Sequence, residues 1–453
     1  MQKNVHENRN HGQSPVLKAA LVGILIGLLL VPLGMVMALI HEREATRSAA
    51  EEEVSDKWGA QQTVGGPVLL VPYLTRALDA NGKSQIVSAH ATLLPRSLEI
   101  AGDLTPEIRY RGIFEVPLYT VQLRLSGTFA PEEISELSIP ATEILWRDAV
   151  LSVGIPDPRG IRQTVTLRWD ETELDFEPGS GAGSVFPSGI HVDIGEHVGS
   201  ATGELAPHAF RFELALNGSR HLAFVPVGRD TRLRLASSWP SPSFTGAFLP
   251  DRRTVTADGF TAEWELFYLG RSYPQRWKAG EVPPGVVQAS AAGVDLVLPV
   301  DEYLKSMRSA KYGVLFLVVT FGSFFLFEIL GRAKIHPFQY LLVGAALVVF
   351  YVLLLSLSEH VGFNFAYGLA AIATLGVILG YSSFILGRAH RLVGLGAILG
   401  GLYLFLYVLL QLEDLALLLG SIGLFLALAA VMWITRRVDW YALQEELESS
   451  PPG

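Results

Sequence analysis

An apolar hairpin at residues 311–360 constrains this chain more than any other feature. Two hydrophobic runs, 313–330 and 338–357, flank a short loop that carries Arg332 and Lys334. Each run is long enough to cross a bilayer as a helix, because a hydrocarbon core of about 30 Å requires about 20 apolar residues. Short cytoplasmic loops are rich in Lys and Arg, so this loop is predicted to lie in the cytoplasm.

The other apolar runs fit one topology with that loop. One further span is predicted at 19–40, and three more are predicted at 365–386, 392–410 and 415–434. Together with the two runs of the hairpin, the last three place five spans within residues 311–435. Connections on the side of Arg332 contain Arg388, Arg391, Arg436 and Arg437, whereas the opposite connections contain Glu359, Glu413 and Asp414 without Lys or Arg. The predicted tails, 1–18 and 436–453, are therefore cytoplasmic, and residues 41–310 are periplasmic.

The first apolar run, 19–40, admits two interpretations. Preceding cations and the small-residue pattern Val36-Met37-Ala38 suit a cleaved signal peptide. The run continues to Ile40, which is long enough to span and favours an uncleaved anchor. Both interpretations stay open. Residues 41–65 are charged and helix-prone and are predicted to continue the same helix.

A period of two marks residues 67–299 as strands. The buried-face candidates are Tyr119, Val121, Leu123 and Leu125, then Phe210, Phe212, Leu214 and Leu216, each alternating with polar residues. Asn217-Gly218 predicts a hairpin turn before 222–227, and Asn81-Gly82 predicts another between 68–78 and 86–94. These patterns indicate a large all-β domain, sandwich-like or barrel-like, with two subdomains as an option.

Composition excludes several classes of site. The chain has a mean hydropathy of +0.34 and a net charge of −9, so no basic surface for nucleic acid is expected. It contains no cysteine, which removes disulfides, thiolate metal sites and cysteine nucleophiles. With the long apolar runs, these features predict a membrane protein.

No set of residues predicts a catalytic centre, a metal site or a cofactor. The closest approximations are His191, Asp193, Glu196, His197 and His208, and the carboxylates Glu171, Glu173, Asp175 and Glu177. The first group lacks the spacing of known zinc motifs. The second alternates with Leu174 and Phe176, which predicts a solvated outer face that protects a sheet edge. A Gly-x-Ser-x-Gly nucleophile elbow is missing from the sequence.

Transport through the helical block is the main alternative function, and an envelope hydrolase is a weaker one. Glu328 lies near the cytoplasmic end of its run, within reach of Arg332. Tyr351 and Gln411 are only mildly polar. An ion-coupled carrier is expected to place a carboxylate near the bilayer centre, and these runs contain none.

Long segments of the chain resemble the CreD family. They are Ser237-Ser238-Trp239-Pro240-Ser241-Pro242-Ser243-Phe244, Gly246-Ala247-Phe248-Leu249-Pro250, Lys311-Tyr312, Phe327-Glu328, His336-Pro337-Phe338-Gln339-Tyr340-Leu341-Leu342-Val343-Gly344, Ser356-Leu357-Ser358-Glu359-His360 and Asp439-Trp440-Tyr441, with weaker matches at Gly66-Pro67-Val68-Leu69-Leu70-Val71-Pro72 and Asp157-Pro158-Arg159-Gly160-Ile161. The resemblance implies an inner-membrane protein of Gram-negative bacteria. Loss or overproduction of such proteins alters envelope integrity and tolerance to colicin or β-lactam. The resemblance to this family supplies no catalytic residue, ligand or transported substrate.

These observations together predict a non-enzymatic inner-membrane protein that supports cell-envelope integrity or the response to envelope stress. The expected partners are the lipid bilayer and a periplasmic protein or peptidoglycan; the oligomeric state stays open. Candidate partner-contact or structural residues are Trp239, Pro240, Phe244 and Phe248. A candidate polar cluster of the membrane hairpin comprises Glu328, Arg332, His336, Glu359 and His360.

Overall fold

The computed structural model describes residues 15–78, 83–198, 206–298, 302–331, 335–386, 389–412 and 415–436. Both predicted tails beyond these limits, the Asn81-Gly82 turn, and Arg332, Lys334, Arg388, Glu413, Asp414 and Arg437 lie outside the described residues. The chain divides into two compact units. One, the helical unit, comprises Met1–Thr46 with Val300–Gly453, and the other, the β unit, comprises Arg47–Pro299.

The helices of the described chain are α1 Pro15–Trp58, α2 Gly195–Val198, α3 Pro284–Gln288, α4 Glu302–Lys311, α5 Gly313–Gly331, α6 Pro337–Val361, α7 Phe363–Leu386, α8 Ala389–Gln411 and α9 Ala416–Thr435. The predicted order of an N-terminal apolar helix, a large β-rich region and a C-terminal helical block is confirmed. Helix α1 continues into the charged segment as far as Trp58, whereas the last residues of the predicted 41–65 continuation belong to strand β1, which begins at Gln62.

Five helices in the described ranges are long and apolar enough to cross a membrane. One is α1, and the other four lie within Glu302–Glu328, Pro337–Val361, Phe363–Leu386 and Ala389–Gln411. Helix α9 coincides with the last predicted span. The described part of this helix includes the apolar stretch Leu417–Ala430, and the span stays a prediction.

The strands are β1 Gln62–Leu78, β2 Ser84–Leu93, β3 Ser97–Arg111, β4 Phe114–Phe129, β5 Val150–Gly154, β6 Thr166–Trp169, β7 Thr172–Asp175, β8 Glu177–Pro178, β9 Gly189–Asp193, β10 His208–Ser219, β11 His221–Val225, β12 Asp230–Ser237, β13 Pro242–Gly246, β14 Arg252–Thr256, β15 Gly259–Phe267, β16 Arg276–Lys278 and β17 Ala292–Leu296. Within the described residues they form two sheets. Sheet A has the order β13-β17-β11-β1-β5-β9-β8, with β2 pairing β1 and β16. Sheet B has the order β14-β15-β12-β3-β4-β10-β6-β7.

The two sheets share one hydrophobic core. On β4, Tyr119, Val121, Leu123 and Leu125 are buried, and the residues between them face outward or are partly exposed. The equivalent residues of β10 are also buried, opposite β4 in an antiparallel register. The alternation in the sequence therefore predicts the inner faces correctly, and a single core accounts for the whole β unit without separate subdomains.

The predicted hairpin at Asn217-Gly218 is wrong. Strand β10 continues through both residues in register with Thr120 and Tyr119 of β4. The chain turns only afterwards, at Arg220 with a φ of 59°, and enters sheet A as β11. Glycine is required at 218 because a Cβ there would lie 2.3 Å from the Tyr119 hydroxyl oxygen. Close packing, not a tight turn, therefore accounts for this Asn-Gly pair.

Candidate functional site

A buried stripe on α1 packs this helix into the helical unit. Leu29, Leu33, Val36 and Ile40 are each 4% exposed or less, and their spacing places them on one helical face. The helices that receive this face have glycine at the contacts. A Cβ on Gly344 of α6 would lie 2.1 Å from Leu29 Cδ1, and one on Gly313 of α5 would lie 2.8 Å from Leu33 Cδ1. Helix α1 is therefore closely packed against α5 and α6.

One end of this packed region carries an ion pair between helices far apart in sequence. Lys18 Nζ of α1 donates to Glu328 Oε1 of α5 at 2.6 Å. The Tyr340 hydroxyl of α6 donates to Glu328 Oε2 at 3.2 Å. The Glu328 side chain is only 8% exposed, and both of its carboxylate oxygens accept hydrogen bonds from protein groups. We call Lys18, Glu328 and Tyr340 the Glu328 cluster.

The other end of the region carries a second network. Arg43 of α1 donates from Nε to Glu359 Oε1 at 2.8 Å and from Nη2 to Oε2 at 3.0 Å. The Tyr303 hydroxyl of α4 donates to Glu359 Oε1 at 2.7 Å. This bidentate arrangement is the strong form of an arginine–carboxylate pair. We call Arg43, Glu359 and Tyr303 the Glu359 cluster.

The polar residues that the sequence analysis places in one hairpin cluster do not form one network in the structure. His336 begins α6, where its Nδ1 accepts from the Phe338 backbone N–H and Gln339 completes a capping box. His360 is exposed, and its Nδ1 lies 3.0 Å from the Ser356 carbonyl oxygen. Arg332 lies outside the described residues. The structure therefore places Glu328 and Glu359 in separate networks at opposite ends of the packed region, and neither histidine bonds to them.

Sequence reasoning missed Lys18, Arg43, Tyr303 and Tyr340 as partners. One signal could have found the cations. Lys18 and Arg43 are 25 positions apart on one continuous helix, which corresponds to about 37 Å at 1.5 Å per residue. That length approximates a bilayer with its polar borders, where charged side chains at helix ends are expected.

Aromatic rings pack together in the interior of the helical unit. Phe350 of α6 lies 4.8 Å from Tyr403 of α8 and 5.6 Å from Tyr367 of α7, measured between ring centroids. Tyr351 is buried beside Phe350, with centroids 4.9 Å apart. The exposed Gln411 side chain bonds to Asn364 instead. Glu328, Tyr351 and Gln411, the residues that would line a transport path, therefore each contact different residues.

The aromatic residues singled out in the β unit pack against its core. Trp239 is 6% exposed, and its indole N–H donates to the Ser241 and Val297 carbonyls. Phe244 contacts the rings of Phe260 and Trp264 edge-on. Phe248 packs on the core while its carbonyl accepts from Trp264. Pro240 is exposed. This geometry supports the structural interpretation of the motif, and partner contact there stays a prediction.

The candidate metal-site histidines His191 and His208 contact different groups of the β unit. His191 Nδ1 lies 2.8 Å from the Gly179 carbonyl oxygen, whereas His208 Nδ1 lies 2.6 Å from Asp170. In the part of the chain that the structure describes, no group of three His, Asp or Glu side chains could hold a metal ion. Glu171, Glu173, Asp175 and Glu177 are exposed, but they do not share one strand: Glu173 and Asp175 lie on β7, an edge strand of sheet B, Glu171 precedes it, and Glu177 begins β8 of sheet A.

A buried carboxylate, Asp157, joins three segments of the β unit. It accepts from the Arg159 guanidinium at 2.7 and 3.0 Å and from the Ala60 backbone N–H at 2.9 Å. Hydrogen bonding from Arg159 lowers the pKa of Asp157 below its ordinary value, against the opposing effect of burial. Gln62, fully buried, adds bonds to the backbone of Asp157 and Asn217. The family-like segment around Asp157 is therefore a structural junction.

Comparison with known proteins identifies the chain. The family model described as "Inner membrane protein CreD" matches residues 14–441. "Inner membrane protein CreD" of Escherichia coli (strain K12) is 34% identical over 429 residues, which cover 92% of this chain and 91% of that protein. Both matches extend over the apolar helices and the β unit. The chain belongs to the CreD family of inner membrane proteins.

Proposed function

We propose that this protein is a non-enzymatic inner-membrane scaffold that supports cell-envelope integrity, with its β unit in the periplasm in contact with an envelope component. The Glu359 cluster carries the proposal. Arg43 precedes the β unit in sequence and Tyr303 follows it, yet both bond to the same carboxylate. The two chain segments that flank the β unit in sequence thus share one carboxylate within the helical unit, which suits a protein with a large domain inserted between its first and later helices.

The sidedness rests on charge. Lys18 lies at the end of α1 opposite Arg43, and Glu328, the partner of Lys18, precedes the loop that contains Arg332 and Lys334. Cations concentrate in short cytoplasmic loops, so the Glu328 cluster is assigned to the cytoplasmic side and the Glu359 cluster to the periplasmic side.

The absence of cysteine makes the sidedness directly testable. Single cysteines replace the exposed Glu173 of the β unit and Lys334 of the loop, and intact cells are treated with a membrane-impermeant maleimide. Glu173→Cys is expected to react, and Lys334→Cys is expected to react only after permeabilisation. Labelling of Lys334→Cys in intact cells would overturn the topology.

The envelope role is tested in a strain that lacks the protein. We expect lower tolerance to β-lactam and to detergent, restored by the full chain and not by Glu359→Gln expressed to the same level in the membrane. A deletion strain with unchanged tolerance contradicts the proposal. Transport is the less favoured role, because Glu328 and Gln411, two of the three candidate path residues, bond to different partners.

A further inference from the structure

The outer face of sheet B carries two charged rows that cross its central strands. The first row runs Glu263, Arg234, Ala101, Arg124 and Glu213 across β15, β12, β3, β4 and β10. The second row, one step along the same strands, runs Glu265, Arg232, Glu99, Ser126 and Arg211. Opposite charges on neighbouring strands stabilise a sheet face, and most of these positions follow that rule.

The alternation fails at Ala101. Arg234 and Arg124 are the direct neighbours of this residue on either side, so two cations flank a position without an acid. Neighbouring strands are about 4.8 Å apart, which places the two arginine Cβ atoms about 10 Å apart across the methyl group. An acidic residue would complete the row, and its absence leaves room above Ala101 for an external anion.

A groove of about 460 Å³ occupies this face. Its lining includes the four arginines Arg124, Arg211, Arg232 and Arg234, and the three glutamates Glu99, Glu263 and Glu265. The lining is therefore net positive in a chain with a net charge of −9. That volume falls within the range of small-molecule sites, which is about 300–1,000 Å³. We call it the Ala101 groove.

The guanidinium groups of the groove retain unused donors. Arg234 lies 3.7 Å from Glu263 and Arg232 lies 3.6 Å from Glu99, both beyond hydrogen-bonding distance. Arg124 donates to Asp103 at 3.1 Å through one Nη only. Among the described residues, Arg232 and Arg234 make no shorter polar contact. Arginine presents five donors in a planar fork that matches carboxylate and phosphate oxygens.

We propose that the Ala101 groove binds the anionic end of a small envelope component, a carboxylate or a phosphate monoester held between Arg124 and Arg234. The inference rests on the proposed function, since it names the chemistry by which the β unit would meet that component. Charge complementarity selects an anion, because the gap lies between two cations whose forks have free donors. The neighbouring glutamates disfavour a large polyanion and favour a ligand with a single anionic end.

The test uses the full chain in a nonionic detergent, with inorganic phosphate and acetyl-Ala-Ala, which has a free carboxylate, as calorimetric probes. Saturable binding of at least one probe is expected, weakening as salt rises. Binding of phosphate alone assigns the groove to a phosphate monoester, and binding of the peptide alone assigns it to a carboxylate. The absence of saturable binding by both probes overturns the proposal.

Variants locate the site. Arg124→Gln with Arg234→Gln is expected to weaken binding about tenfold or more, because charged hydrogen bonds are lost. Ala101→Leu fills the gap without changing charge and is expected to do the same. Arg252→Gln removes an exposed cation of β14 on the same face, outside the gap, and is expected to leave affinity unchanged. Equal affinity of the Ala101→Leu chain, with its melting temperature retained, excludes this groove.

The outcomes separate this inference from the proposed function. An envelope defect in the deletion strain with no binding of either probe leaves the function standing and removes the groove. Binding that requires Arg124 and Arg234, together with normal envelope tolerance in the deletion strain, retains the groove and removes the envelope role.

Discussion

Arg43 and Glu359 are 316 positions apart in the chain and are joined by two parallel hydrogen bonds of 2.8 and 3.0 Å. The Glu359 side chain is 10% exposed, so loss of its partner would leave a charge with little solvation. The pair thereby fastens α1 to α6 at one end, as Lys18 and Glu328 fasten α1 to α5 at the other.

Neutralising one member of this pair is expected to destabilise the helical unit. Arg43→Gln and Glu359→Gln should each lower the free energy of unfolding by about 2–4 kcal/mol, since the remaining charge is partly buried. The double variant should lose less than the sum. Thermal unfolding in detergent measures all three, with the exposed Glu44→Gln on the same helix as control. Identical melting temperatures for Glu359→Gln and Glu44→Gln would contradict the prediction.

Glu328→Ala should reduce the abundance of the protein in the membrane more than Glu173→Ala. Glu328 bonds to Lys18 and Tyr340 with its side chain 8% exposed, whereas Glu173 is on the exposed face of an edge strand. Quantitative immunoblotting of membranes compares the two. If both variants accumulate like the parent chain, the Glu328 cluster has no role in holding α1.

Gly344→Ala should weaken the packing of α1. The added Cβ would lie 2.1 Å from Leu29 Cδ1 and 2.8 Å from Phe321 Cζ, an overlap that typically costs about 1–3 kcal/mol. Gly322→Ala on α5 is the matched control, because a Cβ there meets nothing within 4 Å and alanine favours helix. The melting temperature should fall for the first variant and hold or rise for the second. The reverse order would show that Leu29 does not occupy this contact.

Trp239→Ala separates packing from recognition in the β unit. Trp239 is almost fully buried and both of its indole hydrogen bonds are internal, so truncation should cost about 3–5 kcal/mol. Leu249→Ser, at a position 66% exposed, should change stability little. Melting temperature and envelope tolerance are measured together. An unchanged melting temperature with lost tolerance would assign Trp239 to partner contact.

The Asp157 junction predicts a pH dependence. Because Arg159 lowers the folded pKa of Asp157 below the unfolded value of about 4, the carboxylate contributes stability above that value. The contribution is lost as pH falls through the folded pKa. Asp157→Asn should therefore be less stable than the parent chain at pH 7, by about 1–3 kcal/mol. The difference should shrink below about pH 4. A difference that is constant with pH would exclude the charge as its cause.

Local periodicity predicts much of this fold. The inner faces of β4 and β10 follow directly from alternation, because the core buries every second residue of each strand. The hydropathy of the long apolar runs locates the helices of the helical unit with similar success. These properties depend only on neighbouring residues, so one sequence is sufficient to find them.

Pairing across long sequence separations lies beyond such patterns. Arg332 is four residues from Glu328 and was the natural candidate partner, but the described partner is Lys18, 310 positions away. The Asn217-Gly218 pair has the composition of a turn, but it lies within β10, paired with β4, where the Tyr119 ring leaves no room for a Cβ at position 218. The position of Ala101 between Arg234 and Arg124 depends on the register of neighbouring strands, which the order of residues along the chain does not reveal.

The position of β17 sets the order in which the β unit can be completed. This strand is the last of the β unit in sequence, but it lies between β13 and β11 and pairs with both. During synthesis sheet A stays divided, with β13 unattached, until Ala292–Leu296 has been made. The apolar helices follow within about twenty residues, so little chain separates completion of the sheet from the first helices of the C-terminal block. Folding of the β unit and insertion of α5 are therefore expected to be nearly simultaneous events in biogenesis.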